Sequence, residues 1–244
     1  MAWAEFLAFA GVGLLAQLVD GALGMAYGLV SSSVLLSLGL PPVVASASVH
    51  TAEIATTAAS GAAHAWFGNV ERKLLFQLAL PGVLGGVLGA LFLANIPAAA
   101  IAPFVNGYLI ILGLVVLARA SGYPFVRGRM RHPSPLGFIA GLLDAIGGGG
   151  WGSIATSTLI ARGGAARMVI GTVNAAECMV TVAVSVTLIA HIGIHHWTVV
   201  LGLLAGGVIA APLAAWLVKH LPERIVLVAV GLLIVVLGGF RLLH

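Results

Sequence analysis

The segments DGALGMAYG (residues 20–28) and DAIGGGGWG (residues 144–152) decide the fold of this chain. Each begins with an aspartate, continues through a glycine-rich stretch and ends with an aromatic residue followed by glycine. Both lie inside apolar segments, where a carboxylate and several glycines are unfavourable in a helix surrounded by hydrocarbon. The sequence therefore predicts two chain breaks of the same kind, one near the start of each half.

The rest of the chain has the composition of a membrane protein. Of its 244 residues, 61% are apolar and 7% are charged, whereas about 25% are charged in ordinary soluble domains. Several apolar segments approach the ~20 residues that cross a bilayer as a helix. The segments are 4–38, 43–67, 73–95, 98–119, 134–160, 168–191, 197–218 and 222–242. They do not alternate in polarity as barrel strands do, so we expect an all-α, multi-pass protein of the cell (inner) membrane.

The second half of the chain repeats the first with an offset of 124 residues. This offset pairs Asp20 with Asp144, Gly24 with Gly148, Tyr27 with Trp151, Gly28 with Gly152, His50 with Asn174 and Glu53 with Glu177. We therefore divide the chain into a first membrane repeat (1–120), a basic cytoplasmic linker (121–133) and a second membrane repeat (134–244). Internal duplication of this kind is a common build of secondary transporters.

The basic residues predict the topology. Eight full crossings would place the linker and the Arg162–Arg167 loop on opposite sides of the membrane, against the positive-inside rule. If segments 4–38 and 134–160 instead enter, break and return, ten of the eleven Lys and Arg residues share one face and only Arg241 lies opposite. The pieces flanking the four glycines, with about eleven residues each, match half a bilayer.

This topology consists of two inverted repeats, each with a re-entrant broken-helix hairpin and three transmembrane helices, and it places both termini outside. Eight crossings with parallel repeats are the alternative. Because the basic residues lie in short loops, where they set orientation, the net charge of +4 implies no nucleic-acid partner.

Four of the seven acids lie inside apolar segments: Asp20, Glu53, Asp144 and Glu177. A charge at the centre of a membrane helix costs about 2.5–3.5 kcal/mol on insertion scales, so such residues normally face a protein interior or a water-filled path. Polar residues from Ser46 to His64 recur every three or four positions and share one helix face, as do their counterparts from Asn174 to Ser185. Two interpretations stay open: the acids cap or tether the hairpins, or they exchange protons, with desolvation keeping Glu53 and Glu177 partly protonated.

The glycine-rich breaks also predict a binding site. Each break starts a new half-helix whose amides and hydroxyls point to the membrane centre with the positive end of the helix dipole behind them, and two such ends form an anion site. The predicted substrate-binding residues are Gly24, Tyr27, Gly28, Ser31, Ser32, His50, Gly148, Gly149, Gly150, Trp151, Gly152, Ser153, Thr156 and Asn174. A nucleotide loop is not indicated, because no GK[ST] follows the glycines.

Other chemistries have little support in the sequence. No HExxH or GxSxG motif indicates an enzyme. The single Cys178 excludes a multi-cysteine metal site. His191, His195 and His196 lie in a predicted outer loop, where we interpret them as interfacial residues. We therefore expect no cofactor and no bound metal.

The motifs GALGMAYG and GGGGWG, each preceded by an aspartate and joined by a basic linker, resemble the sulfite exporter TauE/SafE family, also called the toluene sulfonate uptake permease (TSUP) family. The resemblance covers nearly the whole chain. It implies a bacterial cell-membrane carrier for sulfite, for sulfonates such as sulfoacetate, or for other small sulfur-containing anions.

The leading hypothesis is a secondary transporter that exports sulfite or a related organosulfur anion, with proton coupling through Glu53 and Glu177. The polar stripes contain no Lys or Arg, and four ionised carboxylates would repel an anion. The alternative is therefore a cation- or proton-linked carrier in which the intramembrane carboxylates are the ligands. Oligomeric state and the direction of transport stay open.

Overall fold

The computed structural model describes residues 2–23, 25–122, 130–193, 196–217 and 223–243. This part of the chain forms ten helices and no strands. They are α1 (Ala2–Leu23), α2 (Tyr27–Ser37), α3 (Pro42–Trp66), α4 (Arg72–Asn95), α5 (Ala98–Ala120), α6 (Ser134–Gly147), α7 (Trp151–Ala161), α8 (Ala166–Ile192), α9 (Trp197–Leu217) and α10 (Glu223–Leu243). The all-α prediction is confirmed, and five helices fall in each predicted repeat.

The predicted breaks are present in both repeats. Between α6 and α7, Gly148, Gly149 and Gly150 have φ values of 72°, 152° and 134°, a region that favours glycine because it has no Cβ. Before α2, Ala26 adopts a left-handed φ of 95°. Three consecutive left-handed residues explain why the second break needs a run of glycines.

The half-helices after the two breaks have the predicted length, whereas those before the breaks are longer. Helices α2 and α7 have 11 residues each, about 16 Å, or half a bilayer. Helix α6 has 14 residues and α1 has 22, so α1 is about 33 Å long. Glycines of α9 allow close packing along α1, since Gly202 adjoins Phe9 and Gly206 adjoins Ala10 and Leu14.

Helices pack across the two repeats. The longest contacts join α1 to α9 and its repeat counterpart α6 to α4, while α3 packs on its own counterpart α8 and α5 on α10. Glycines permit the close approach, since Gly82 lies against Trp151 and Val180, and Gly86 against Val184. Each broken helix is therefore buried mainly by the other half of the chain.

The order of contacts gives the direction of each packed pair. From α3 to α8, Thr57 meets Thr181, Ser60 meets Asn174 and His64 meets Gly171, so residue numbers rise on one helix as they fall on the other. These repeat counterparts are antiparallel. Helices α5 and α10 are antiparallel too, because Gly113 meets Ile234 and Gly238 meets Ile110.

Helix α4 runs parallel to both α6 and α8. Its contacts with α6 advance together along the two helices, from Leu78 with Gly137 to Gly89 with Ala145. Its contacts with α8 also advance together, because Gly82 meets Val180 and Gly86 meets Val184. Helices α6 and α8 therefore point the same way, although α7 lies between them in the chain.

The surface is apolar and the interior contains polar groups, the reverse of a soluble protein. Among the described residues, four helices are long and apolar enough to cross a membrane, with spans at Trp3–Asp20, Arg72–Asn95, Ala98–Ala120 and Ala166–Ile192. Large apolar side chains on outer faces are exposed, including Leu80, Phe92, Ile111, Val186 and Val236. Helices α3 and α8 carry the polar stripes and lie at the centre.

Candidate functional site

The two chain breaks meet at the centre of the molecule. A Cβ atom on Gly28, at the start of α2, would lie 2.6 Å from the Cα atom of Gly149. The Ser32 hydroxyl on α2 donates to the Gly148 carbonyl. From α5, the Tyr108 hydroxyl donates to the Gly149 carbonyl at 3.2 Å. The N-terminal turns of the two half-helices therefore converge, as the sequence predicted.

Each aspartate caps the half-helix that follows its break. Asp144 Oδ1 accepts the Trp151 backbone N–H at 2.8 Å, and Asp20 Oδ1 accepts the Tyr27 backbone N–H at 3.4 Å. Both contacts span seven residues. A carboxylate at this position satisfies an unpaired helix amide and lies at the positive end of the helix dipole. This geometry is the capping role, one of the two interpretations that the sequence left open.

Asp144 has a second partner, His50 on α3. His50 Nε2 lies 3.0 Å from Asp144 Oδ2, and His50 Nδ1 lies 2.8 Å from the Ser46 carbonyl. The Ser46 hydroxyl donates to the Ala145 carbonyl at 2.7 Å. His50 is 0% exposed and Asp144 2%. The stripe on α3 therefore holds the second break in place through three consecutive polar contacts.

The repeat counterparts of this network are arranged differently. Asn174, which replaces His50, donates its side-chain amide to the Ser60 hydroxyl at 2.9 Å. Asp20 and Glu177 are partly exposed, whereas Asp144 and Glu53 are buried. The two halves thus share positions but not hydrogen bonds.

The two glutamates lie near the breaks. The Glu53 carboxylate accepts a hydrogen bond from the Gly28 backbone, and its Oε1 would be 3.2 Å from a Cβ on that glycine. Glu177 interacts electrostatically with Glu53, Asp20 and Asp144. All four intramembrane acids are therefore gathered in one region.

Three hydroxyl groups lie on the first two turns of the half-helices, next to the breaks. Ser31 on α2 and both Ser153 and Thr156 on α7 are buried, at 0%, 1% and 0% exposure. Within the described chain, none of the three hydroxyls has a hydrogen-bond partner. Leaving a buried hydroxyl unpaired costs about 1–3 kcal/mol, so three near one centre indicate a place for a polar ligand.

Other predicted binding residues have structural partners. The Tyr27 hydroxyl donates to the Leu203 carbonyl of α9, and Trp151 Nε1 donates to the Val173 carbonyl of α8, each at 3.1 Å. Both rings are buried and anchor the start of a half-helix. Gly152 is buried in the first turn of α7. Gly24 lies outside the described residues.

Two residues that the sequence did not single out belong to the site. Tyr108 contacts the second break, and its ring lies against Gly147 and Gly150. Arg119, at the end of α5, reaches Met25 Sδ at 3.2 Å and the Ser157 hydroxyl at 3.5 Å. Arg119 therefore brings a positive charge close to both hairpins. A polar residue in the apolar segment 98–119 was the available signal for Tyr108, whereas Arg119, just before the basic linker, resembled the basic residues that set topology.

A cavity of about 690 Å³ opens between the starts of α4, α6 and α8 and the end of α7. Its walls include Lys73, Arg131 and Arg162, together with Glu71. It faces the side on which the basic loops gather. His191, in the last turn of α8, and His196, just before α9, are exposed near the opposite ends of these helices, and His195 lies outside the described residues.

A helical fold with an apolar outer surface, two broken helices and a buried polar centre is that of a polytopic membrane transporter. The family described as "Sulfite exporter TauE/SafE" matches residues 9–241, and the chain belongs to this family of membrane transporters, which are not enzymes. It is 43% identical over 250 residues to the "Probable membrane transporter protein YtnM" of Bacillus subtilis (strain 168), covering 98% of this chain and 83% of that protein. No solved structure matches the chain significantly.

Proposed function

We propose that this protein is a secondary transporter that exports sulfite or a related organosulfur anion, such as sulfoacetate or another sulfonate, across the cell (inner) membrane. One observation carries the proposal: the breaks before α2 and α7 meet, and the first two turns of these helices carry the buried, unpaired hydroxyls of Ser31, Ser153 and Thr156. Helix N-termini and hydroxyl donors suit the oxygens of a sulfite or sulfonate group. The family description, which names sulfite export, supports the same substrate class.

The partners of the acids favour an anion over the cation alternative. The carboxylates of Asp20, Asp144 and Glu53 accept hydrogen bonds from backbone amides, and Asp144 also contacts His50. Oxygens directed at protein donors are poorly placed to coordinate a cation, which needs several oxygen ligands turned towards one point. Arg119 adds a positive charge near the breaks, where it contacts Met25 and the Ser157 hydroxyl of α7.

The proposal includes inverted repeats. Because α6 and α8 point the same way, α7 has to run back between them, which supports a re-entrant hairpin of α6 and α7. Because repeat counterparts α3 and α8 are antiparallel, as are α5 and α10, one half is upside down relative to the other. Parallel repeats with eight crossings would make these counterparts run in the same direction.

A reporter experiment tests this topology. Reporters attached near Gly128 and near Gly163 are expected on the same, cytoplasmic side of the membrane, in keeping with the basic loops. Reporters on opposite sides would contradict the hairpins and favour eight crossings. The domain limits 1–120, 121–133 and 134–244 rest on the same arrangement.

Flux in proteoliposomes tests the substrate. Purified protein is expected to carry sulfite. Parallel assays measure the fluxes of sulfoacetate and of monovalent and divalent cations for comparison. Ser153→Ala combined with Thr156→Val is expected to reduce sulfite flux at least tenfold, because two donors of charge-assisted hydrogen bonds are lost, each worth about 1.5–3 kcal/mol. Ser121→Ala is the control, since Ser121 is exposed and donates only to Ala118 of its own helix. Cation flux without sulfite flux would establish the alternative function instead.

A further inference from the structure

The hydrogen bonds of His50 require that His50 and Asp144 together carry one proton more than a neutral imidazole and an ionised carboxylate have. The Ser46 carbonyl can only accept, so the 2.8 Å contact to Nδ1 places a hydrogen on Nδ1. Neutral imidazole carries one ring N–H, which leaves Nε2 as an acceptor facing the Asp144 carboxylate at 3.0 Å. Two acceptors repel at that distance. The contact is attractive only with one further hydrogen between Nε2 and Oδ2.

The His50–Asp144 pair therefore contains two exchangeable protons and has no net charge. The description is the same whether the second proton is assigned to the imidazole or to the carboxyl group. Burial makes this state favourable, because an uncompensated carboxylate with 2% exposure would be costly. The other described titratable groups that interact with the pair are acids and a phenol, none of which carries a positive charge: Glu53 on α3, Glu177 on α8 and Tyr108 on α5. Asp20 on α1 interacts with Glu53.

Asp144 also connects this pair to the proposed anion site. Its other oxygen, Oδ1, caps the Trp151 N–H at the start of α7, and Ser153 and Thr156 lie on the first two turns of that helix. Loss of the second proton would leave one negative charge at the positive end of α7, where the anion would bind. Two negative charges close together in a buried site repel each other strongly.

The other half of the molecule lacks this arrangement. Asn174 takes the place of His50 and cannot hold a proton, and its amide donates to Ser60. Asp20 caps α2 without a described histidine partner. The pair is thus a departure from the duplicated pattern, located at one of the two breaks.

We propose that the His50–Asp144 pair binds one proton for each anion and that the two cross the membrane together. The inference rests on the proposed anion transport and specifies its coupling. For a monovalent anion, the charge of the proton balances the charge of the substrate, so no net charge moves. Net transport then follows the sum of the anion and proton gradients and does not respond to the membrane potential.

The substitution Asp144→Asn tests the proposal with little change in structure. The amide oxygen accepts the Trp151 N–H, and the amide nitrogen donates to Nε2 of a neutral His50, so both hydrogen bonds persist without the second proton. The variant reproduces the uncharged pair permanently. We expect it to bind and carry sulfite while losing the proton linkage.

The measurements are sulfite fluxes in proteoliposomes under an imposed pH gradient or an imposed potassium diffusion potential. Each unit of imposed pH gradient should change the steady-state ratio of sulfite concentrations across the membrane by about tenfold more in the wild type than in Asp144→Asn, because one proton is coupled. The substrate's own protonation is the same in both proteins and cancels in the comparison. The variant should instead respond to the membrane potential, because its substrate charge is no longer balanced.

Two controls accompany the variant. His191→Gln changes an exposed histidine on α8 that contacts only Thr187 of its own helix, and it should behave as the wild type. Asp20→Asn changes the repeat counterpart, and its flux should keep the wild-type response to the pH gradient at whatever rate it proceeds.

Calorimetry on purified protein gives a second reading. At alkaline pH, where the pair of the free protein has lost its second proton, sulfite binding in buffers of different ionisation enthalpy should show about one more proton taken up by the wild type than by Asp144→Asn. If Asp144→Asn does not fold, His50→Gln serves the same comparison, because it removes the titratable ring and should weaken sulfite binding as well as its proton uptake.

An unchanged pH-gradient response in the folded variant, or a wild type with no such response, would refute the coupling and leave sulfite transport standing. A wild type that carries no sulfite would refute the proposed function itself.

Discussion

Gly28→Ala is expected to push the two chain breaks apart. The new Cβ would lie 2.6 Å from Gly149 Cα and 3.2 Å from both Glu53 Oε1 and the Gly148 carbonyl. Carbon atoms in contact prefer about 3.5–4.0 Å, so the backbones have to separate by about 1 Å. The closest contact joins the new Cβ to the main-chain Cα of Gly149. No flexible side chain can therefore move away to relieve it.

The expected cost follows from two opposing effects. Overpacking of this kind costs about 1–3 kcal/mol, and replacing a helical glycine with alanine returns about 0.5–1 kcal/mol. The net loss in free energy of unfolding is therefore about 0–2.5 kcal/mol. Transport should suffer more, because the displaced atoms present the amides and hydroxyls of the proposed site. We expect at least a tenfold lower sulfite flux.

The control is Gly107→Ala on α5. No heavy atom lies within 4 Å of the Cβ position at Gly107, so this variant should gain about 0.5–1 kcal/mol and transport normally. Unfolding would be followed by denaturant titration in mixed micelles, and flux in proteoliposomes with equal protein incorporation. If Gly28→Ala matches Gly107→Ala in both assays, the close approach of the two breaks is not what the site requires.

Three further predictions concern the surroundings of the site. Tyr108→Phe removes the donor to the Gly149 carbonyl and should lower the free energy of unfolding by about 0.5–1.5 kcal/mol; an unchanged denaturation midpoint would contradict it. Arg119→Gln removes the positive charge near the hairpins and should raise the KM for sulfite severalfold, with partial rescue in Arg119→Lys; equal KM values in all three would contradict a role in attracting the anion. Glu53→Gln and Glu177→Gln should slow transport if the glutamates exchange protons, and normal, proton-coupled flux in both would make these acids structural.

The sequence was informative where structure is local. A run of four glycines and an aspartate inside hydrocarbon has few explanations, and both breaks lie where the motifs placed them. The polar stripes were predicted from a spacing of three and four, and Ser46, His50, Glu53 and Thr57 are indeed buried together. The topology that the arginine positions predicted stays a prediction.

Contacts between helices distant in the chain could not be predicted from the sequence. Nothing local indicates that Tyr108 on α5 would contact the second break, or that Arg119 would reach Met25. The amphipathic rings of Tyr27 and Trp151 suggested ligand contacts, yet their polar atoms bind carbonyls of α9 and α8. Equal spacing in the repeats also concealed the difference between His50 and Asn174, because that difference lies in hydrogen bonds to the opposite half.

The exchange of partners between the halves has a consequence for synthesis. Tyr27, which follows α1, bonds to Leu203 of α9, 176 residues later in the chain. At about 5–20 residues per second, the ribosome needs roughly 9–35 s to supply that partner. Throughout this interval α1 and its break have to wait in the insertion machinery or in lipid without their main contact surface. Helix α6 meets α4 as soon as it emerges, so the second half of the protein can assemble on the first while the first hairpin is among the last elements to be completed.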